Sequence, residues 1–216
     1  CTPKKSKTVW SNYYDQTIYS GSYLAEKEKI VRAFIASTSF KTVIDVGAND
    51  GYFSKMISNS DCRVVAIDFD SGCVRNLYEF VRREQIRNIL PLSVDIANPT
   101  PATGFNNLER SAFLDRSRFD LALCLALVHH LAISKNIPFE NIAALFRKIA
   151  DSVIIEFIPR EDEKVVQLLE HRKDIFADYN LPSFEKAFEK YFTVVSKEKI
   201  VGTERVMYLL KSKEIS

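Results

Sequence analysis

A chain of 216 residues with 46% hydrophobic and 27% charged residues has the composition of an ordinary folded domain with a sizeable core. Its 30 Lys and Arg nearly balance 28 Asp and Glu, and a formal net charge of +2 supplies no field that would hold a nucleic acid or an anionic membrane. No apolar run approaches the roughly 18 residues of a membrane-spanning helix and no secretory signal is visible, so a cytoplasmic setting is expected.

The four cysteines, Cys1, Cys62, Cys73 and Cys124, form no Cys-x-x-Cys pair, and three histidines complete a set that does not support a metal site. Cys62 and Cys124 sit in or beside apolar runs and read as buried thiols of a reducing compartment. The chain begins at Cys1 rather than Met, from which additional N-terminal sequence is expected in the natural protein.

Residues 1–21 read as an extension. A basic lead-in, TPKKSK, precedes an aromatic cluster of Trp10, Tyr13, Tyr14 and Tyr19, joined by Tyr23, which serves either as a lid or as an anchor to the core. The folded domain is expected over 22–216. Residues 22–36 put Leu24, Ile30, Val31, Phe34 and Ile35 on one helical face. Val43, Ile44 and Val46 make a buried strand, a helix starts at Tyr52, and RVVAID (63–68) is a second strand. The helix over 71–84 has Val74, Leu77, Tyr78 and Val81 as its apolar stripe. Strands follow over 88–95, where Pro91 fits poorly, and over 118–128. A helix opens at Pro138 and leads into a strand over 152–158. The last two runs, YFTVVSK and RVMYLLK, read as an antiparallel hairpin. Alternating strands and helices with continuous apolar strand runs predict an α/β fold whose parallel sheet is covered on both faces.

In such a sheet ligands bind outside the carboxyl ends of the strands. The first strand ends at Asp45 and turns through Gly47 and Gly51. The Gly-x-Gly-x-x-Gly of a pyrophosphate site is missing, because Asn49 and Tyr52 stand where further glycines belong, and a Walker loop is absent. A nicotinamide dehydrogenase is thereby disfavoured. An acid before the turn suits a cofactor with an ammonium group and no phosphate, such as S-adenosyl-L-methionine (SAM). Asp68 closes the second strand, where an acid meets ribose hydroxyls, and Asp95 closes the third, where an acceptor suits an adenine amino group.

VIDVGANDG, VVAIDFD, LPLSVDI and LALCLALVHHL, in that order, resemble the successive motifs of class I SAM-dependent methyltransferases. The resemblance implies a Rossmann-like, mostly parallel seven-stranded sheet with an antiparallel C-terminal hairpin, and SAM as cofactor with S-adenosyl-L-homocysteine (SAH) as product. It carries Asp45, Gly47, Asn49 and Gly51 over as the methionine-end loop, Asp68 as the ribose acid, Phe69 as an adenine neighbour, and Asp95 with Ile96 as the adenine edge. Asn49 departs from the glycine common at that position. IANPTPATGFNNLER, ALVHHLAISKNIPFE, IIEFIPREDEKVVQLL and RKDIFADYNLPSFEKAF resemble a bacterial group of methyltransferase-like proteins related to rhizobial nodulation proteins.

His130 and His129 follow the fourth strand, beside the expected methyl position, as candidate bases, or as groups that orient the acceptor. Asn107, Glu109 and Arg110 in the loop of 95–120, Glu156 at the end of the fifth strand, and Tyr14 and Tyr19 in the extension are candidate acceptor contacts. Arg160, Arg172 and Lys173 would suit an anionic acceptor, or form a solvated helix face. The expected function is methyl transfer from SAM to a small-molecule or saccharide-like acceptor. The alternative is a SAM-binding regulatory or partner-binding module without turnover.

Overall fold

The computed structural model describes residues 21–58, 61–116, 118–170, 173 and 175–214. Trp10, Tyr13, Tyr14 and Tyr19 of the extension, and Arg172, lie outside the described residues. The apolar runs become β1 (Thr42–Val46), β2 (Arg63–Asp68), β3 (Ile89–Ser93), β4 (Phe119–Cys124), β5 (Ala150–Phe157), β6 (Phe192–Lys199) and β7 (Val206–Ser212). They form one sheet in the order β3-β2-β1-β4-β5-β7-β6. The first five strands pair in parallel, and β7 runs antiparallel between β5 and β6.

Successive residues of a strand point to opposite faces, and the two faces carry separate cores. Leu121, Leu123, Ile154 and Leu209 pack on one side with Val31 and Phe34 of α1 (Gly21–Ala36), Phe53 of α2 (Tyr52–Ile57) and Leu77 of α3 (Ser71–Arg83). Ala122, Cys124, Val153 and Leu210 face the other side, toward Phe139 and Phe146 of α4 (Phe139–Ile149) and Phe184 and Phe188 of α6 (Leu181–Glu189). Each fully buried large apolar side chain contributes about 1.5–3 kcal/mol of transfer free energy, so both helical layers are fixed by burial. Cys62, Cys73 and Cys124 are all buried.

Two expectations are corrected. Tyr78 is 54% exposed, and the buried stripe of α3 is Cys73, Leu77 and Val81, three positions spaced by four on one helical face. β4 stops at Cys124, because Ala126 adopts a left-handed φ of 52° that breaks the strand. Pro91 does sit within β3, at the sheet edge, where a missing donor N–H costs least. Two further helices, α5 (Glu163–Leu169) and α6, fill the stretch between β5 and β6.

Candidate active site

The chain order reverses at β1, which pairs with β2 on one side and β4 on the other. Outside the carboxyl ends of these strands lies a cavity of about 260 Å³, at the place where open α/β sheets bind ligands. Each strand end contributes to it: Val46, Gly47 and Asn49 at the end of β1, Ile67, Asp68 and Phe69 at the end of β2, Val94, Asp95 and Ile96 after β3, and Leu125, Ala126 and Leu127 after β4. A single π-helical turn, His130–Ser134, brings His130, Leu131, Ser134 and the following Lys135 to the wall, and Leu168 of α5 completes it.

The β1 loop is built on left-handed residues: Gly47 at φ 76°, Asn49 at 52° and Gly51 at 79°. Asn reaches this region at low cost for a non-glycine residue, which accounts for the departure at position 49. The Gly47 and Ala48 amides both donate to the Ile67 carbonyl, at 2.9 and 3.0 Å, so the loop is pinned to β2. A Cβ at Gly47 would stand 3.2 Å from Leu127 Cδ1. Glycine there leaves the cavity open between the β1 and β4 loops.

Asp68 is the hinge of this arrangement. Its Oδ2 accepts from the Asn49 amide at 2.8 Å and its Oδ1 from the Asp70 amide at 2.9 Å. A carboxylate offers about four acceptor positions, so acceptor capacity remains for a ligand in the cavity. Burial raises its pKa against the opposing backbone amides of Asp70, Asn49 and Phe69. Asp95 accepts from the Ala97 amide at 3.0 Å and, through its other oxygen, from Lys135 Nζ at 2.9 Å. Phe69 presents a ring that is 59% exposed, and Ile96 lies buried beside Asp95.

Asp45 and Gly51 are set back from the cavity wall. Asp45 is buried and accepts from Ser54 Oγ at 2.6 Å, which ties the end of β1 to α2. Burial pushes its carboxyl up to about 6 against the opposing Ser54 hydrogen bond. Gly51 precedes α2, and a Cβ there would meet Leu77 Cδ1 at 2.5 Å. Both residues therefore shape the loop from behind.

The two histidines lie in the helical turn after β4 and take different places. His130 is part-buried on the cavity wall, and burial followed by the Lys164 ammonium lowers its pKa to about 4. His129 is 1% exposed and packs ring to ring against His130, with centroids 4.1 Å apart. Neither nitrogen of His129 has a hydrogen-bond partner among the described residues. Burial, with His130, Arg205, Lys27 and Lys164 nearby, lowers its pKa well below the ordinary value, so the buried ring is neutral.

Glu156 is fully buried and does not line the cavity. Its oxygens accept from Tyr23 Oη at 2.8 Å and Lys27 Nζ at 2.7 Å, both on α1, and Arg205 Nη1 lies 3.5 Å away. Arg205 in turn forms a two-point pair with Asp162 at 2.7 and 3.0 Å and donates to Tyr23 Oη at 2.6 Å. Burial alone would raise the Glu156 pKa. Lys27 and Arg205 outweigh it and hold the group low, and Tyr23 is thereby an anchor of α1 to the sheet.

Asn107, Glu109 and Arg110 also fall outside the wall. Gly104 at φ 88° and left-handed Asn106 and Asn107 turn their loop back on itself. A two-way backbone pairing of Thr103 with Arg110 closes it, and all three side chains are exposed. Arg160 donates to the Phe176 carbonyl at 2.8 Å and lines a separate cavity with Tyr179, while Lys173 is exposed. Of the expected residues, the cavity collects Gly47, Asn49, Asp68, Phe69, Asp95, Ile96 and His130. Lys135 and Leu168 were not singled out in the sequence: one arrives through the π-turn and the other from α5, and no local pattern announces either.

No family model matches the chain. The nodulation protein NoeA of Rhizobium meliloti (strain 1021) is 36% identical over 210 residues, which cover 96% of this chain and 44% of that protein, so the chain spans less than half of this relative. The crystal structure of the N-methyltransferase NodS from Bradyrhizobium japonicum WM9 in complex with SAH superposes with a TM-score of 0.64 at 11% identity, covering 96% of this chain and all, 100%, of that one. A SAM-dependent methyltransferase from Aquifex aeolicus gives a TM-score of 0.59 at 18% identity, with 96% and 100% of the two chains covered. The seven-stranded order, the strand-end cavity and these likenesses agree: the chain has the Rossmann-like fold of the SAM-dependent methyltransferases and is homologous to part of the nodulation protein NoeA.

Proposed function

We propose that this chain binds SAM in the strand-end cavity and transfers its methyl group to a small-molecule or saccharide-like acceptor. The observation that carries the reading is the convergence of Asp68, Asp95 and the Gly47–Asn49 loop on one cavity. Two carboxylates at the ends of β2 and β3, each with acceptor positions to spare, suit the ribose hydroxyls and the adenine amino group. The open backbone at Gly47 suits the methionine end. Asp45 and Gly51 act at one remove, by holding that backbone in place. NodS, described as an N-methyltransferase and solved with SAH, shares the fold and so supports the cofactor assignment.

SAM supplies a methyl carbon made electrophilic by its sulfonium. A lone pair of the acceptor forms the new bond to that carbon as the carbon–sulfur bond breaks, the bond pair stays on sulfur, and the acceptor's proton is released. His130 is the wall residue suited to receive it. With a pKa of about 4 it is neutral at physiological pH. It therefore begins as a hydrogen-bond acceptor that orients the nucleophile, and takes the proton only once bond formation has made the acceptor strongly acidic. His129 backs that ring and limits its rotation. Most of the acceleration is assigned to alignment of nucleophile, carbon and sulfur in a cavity with mainly apolar walls.

Calorimetric titration with SAM, SAH and NAD tests the assignment. SAM and SAH bind with one-to-one stoichiometry and NAD gives no heat. Binding of NAD with no signal for SAM would overturn it. Mass-spectrometric detection of a methylated product in an acceptor screen separates turnover from cofactor binding alone.

A further inference from the structure

Asp95 and Lys135 lie 40 residues apart and form an ion pair of 2.9 Å in which both partners line the cavity. The pair has an unusual span. Asp95 belongs to the loop after β3 and Lys135 follows the π-turn beyond β4, and the sheet order places β2 and β1 between those strands. Three strand spacings amount to about 14 Å, so the pair joins the two flanks of the crevice across the ends of the strands that carry Asp68 and Gly47. Lys135 is held from its own side too, since its amide donates to the His130 carbonyl at 3.1 Å and closes the π-turn. Its stem and ammonium remain half-exposed, at the rim rather than in the core.

We propose that Lys135 is a positioning residue of the cofactor site, acting through Asp95; the inference rests on the SAM reading above. The Ala97 amide fixes one oxygen of Asp95 and Lys135 the other, so the carboxylate meets the adenine edge in one orientation with only acceptor positions left. When adenine covers Asp95 it strips water from the carboxylate. An unpaired carboxylate in that state is costly, and the ammonium beside it offsets the cost. In the free protein the half-exposed pair is worth little. Its contribution therefore appears on binding and not in folding.

A calorimetric cycle with SAH tests this on wild type, Lys135→Met, Asp95→Asn and the double variant, with Lys135→Arg as the conservative control. Lys135→Met keeps the apolar stem and binds SAH about 3- to 10-fold more weakly, with its thermal midpoint unchanged. Lys135→Arg retains binding within about twofold. The double variant binds no more weakly than Asp95→Asn, because the ammonium has nothing left to act through. The difference between wild type and Lys135→Met narrows in about 1 M NaCl. Wild-type affinity in Lys135→Met, or a double variant in which the two losses multiply, overturns the inference. Failure of the wild type to bind SAH overturns the SAM reading instead.

Discussion

The main-chain amide of Asn49 donates to Asp68 Oδ2 at 2.8 Å, so the residue that closes β2 also holds the tip of the β1 loop. Asn49 itself sits in the left-handed region, φ 52°. Asn49→Gly reaches that conformation freely and is expected to match the wild type in urea denaturation and SAH affinity. Asn49→Val pays the left-handed penalty in full and loses about 1–2 kcal/mol of stability. A valine variant as stable as the wild type would show that the loop does not depend on this geometry.

Gly51 is constrained twice, by φ 79° and by Leu77 Cδ1 at 2.5 Å from any Cβ. Gly51→Ala is expected to lower stability by about 1–3 kcal/mol, read as a drop in the thermal midpoint. Adding Leu77→Ala removes the steric part, so the double variant is less destabilised than the sum of the two single changes. Strict additivity would argue against the contact.

Strand ends were legible in the sequence because they carry two signals at once: an apolar run that must be buried, and an acid or glycine where the run stops. RVVAID closing on Asp68 corresponds to β2 residue for residue. Gly47, Asp68 and Asp95 followed from those signals, and Asn49, Phe69 and Ile96 from the resemblance to methyltransferase motifs. What the sequence did not disclose depends on distant partners. Glu156 interrupts the apolar run of β5 just before its end, and it is drawn inward by Lys27 and Tyr23, well over a hundred positions away, and by Arg205 on the final hairpin. Asn107, Glu109 and Arg110 have the composition of a binding loop, but left-handed residues turn that loop toward solvent. Lys135 reaches the rim only because the turn after β4 is π-helical.

The Glu156 network makes a stability prediction. Glu156→Ala leaves Lys27 and Arg205 buried without their shared partner and costs about 3–5 kcal/mol, measured by urea denaturation. Tyr23→Phe removes one hydroxyl from the same cluster and costs about 1–2 kcal/mol. Loss of less than about 1 kcal/mol in Glu156→Ala would mean that water reaches the site.

Acid sensitivity should divide between two groups, one in β1 and one in the π-turn after β4. His130 has a folded pKa of about 4, below its unfolded value, so the unfolded chain binds more protons. Its contribution is present above about pH 6.5 and is lost as pH falls toward 4. Asp45, raised from 3.8 to about 6, acts in the opposite sense: its contribution is full below its unfolded value and is lost as pH rises through 6. Between pH 7 and 5, His130→Gln should lose less stability than the wild type by on the order of 1–2 kcal/mol. Asp45→Asn should lose more. Parallel pH dependences for all three proteins would contradict both assignments.

Calorimetric titration of SAH into the wild type and Asp68→Ala bears most directly on the central claim, that the strand-end cavity is a SAM site. The wild type should bind one SAH per chain. Asp68→Ala should bind at least about tenfold more weakly, having lost the ribose acceptor and the anchor of the Asn49 amide together. Equal affinity in the two proteins, or no binding by the folded wild type, would contradict it.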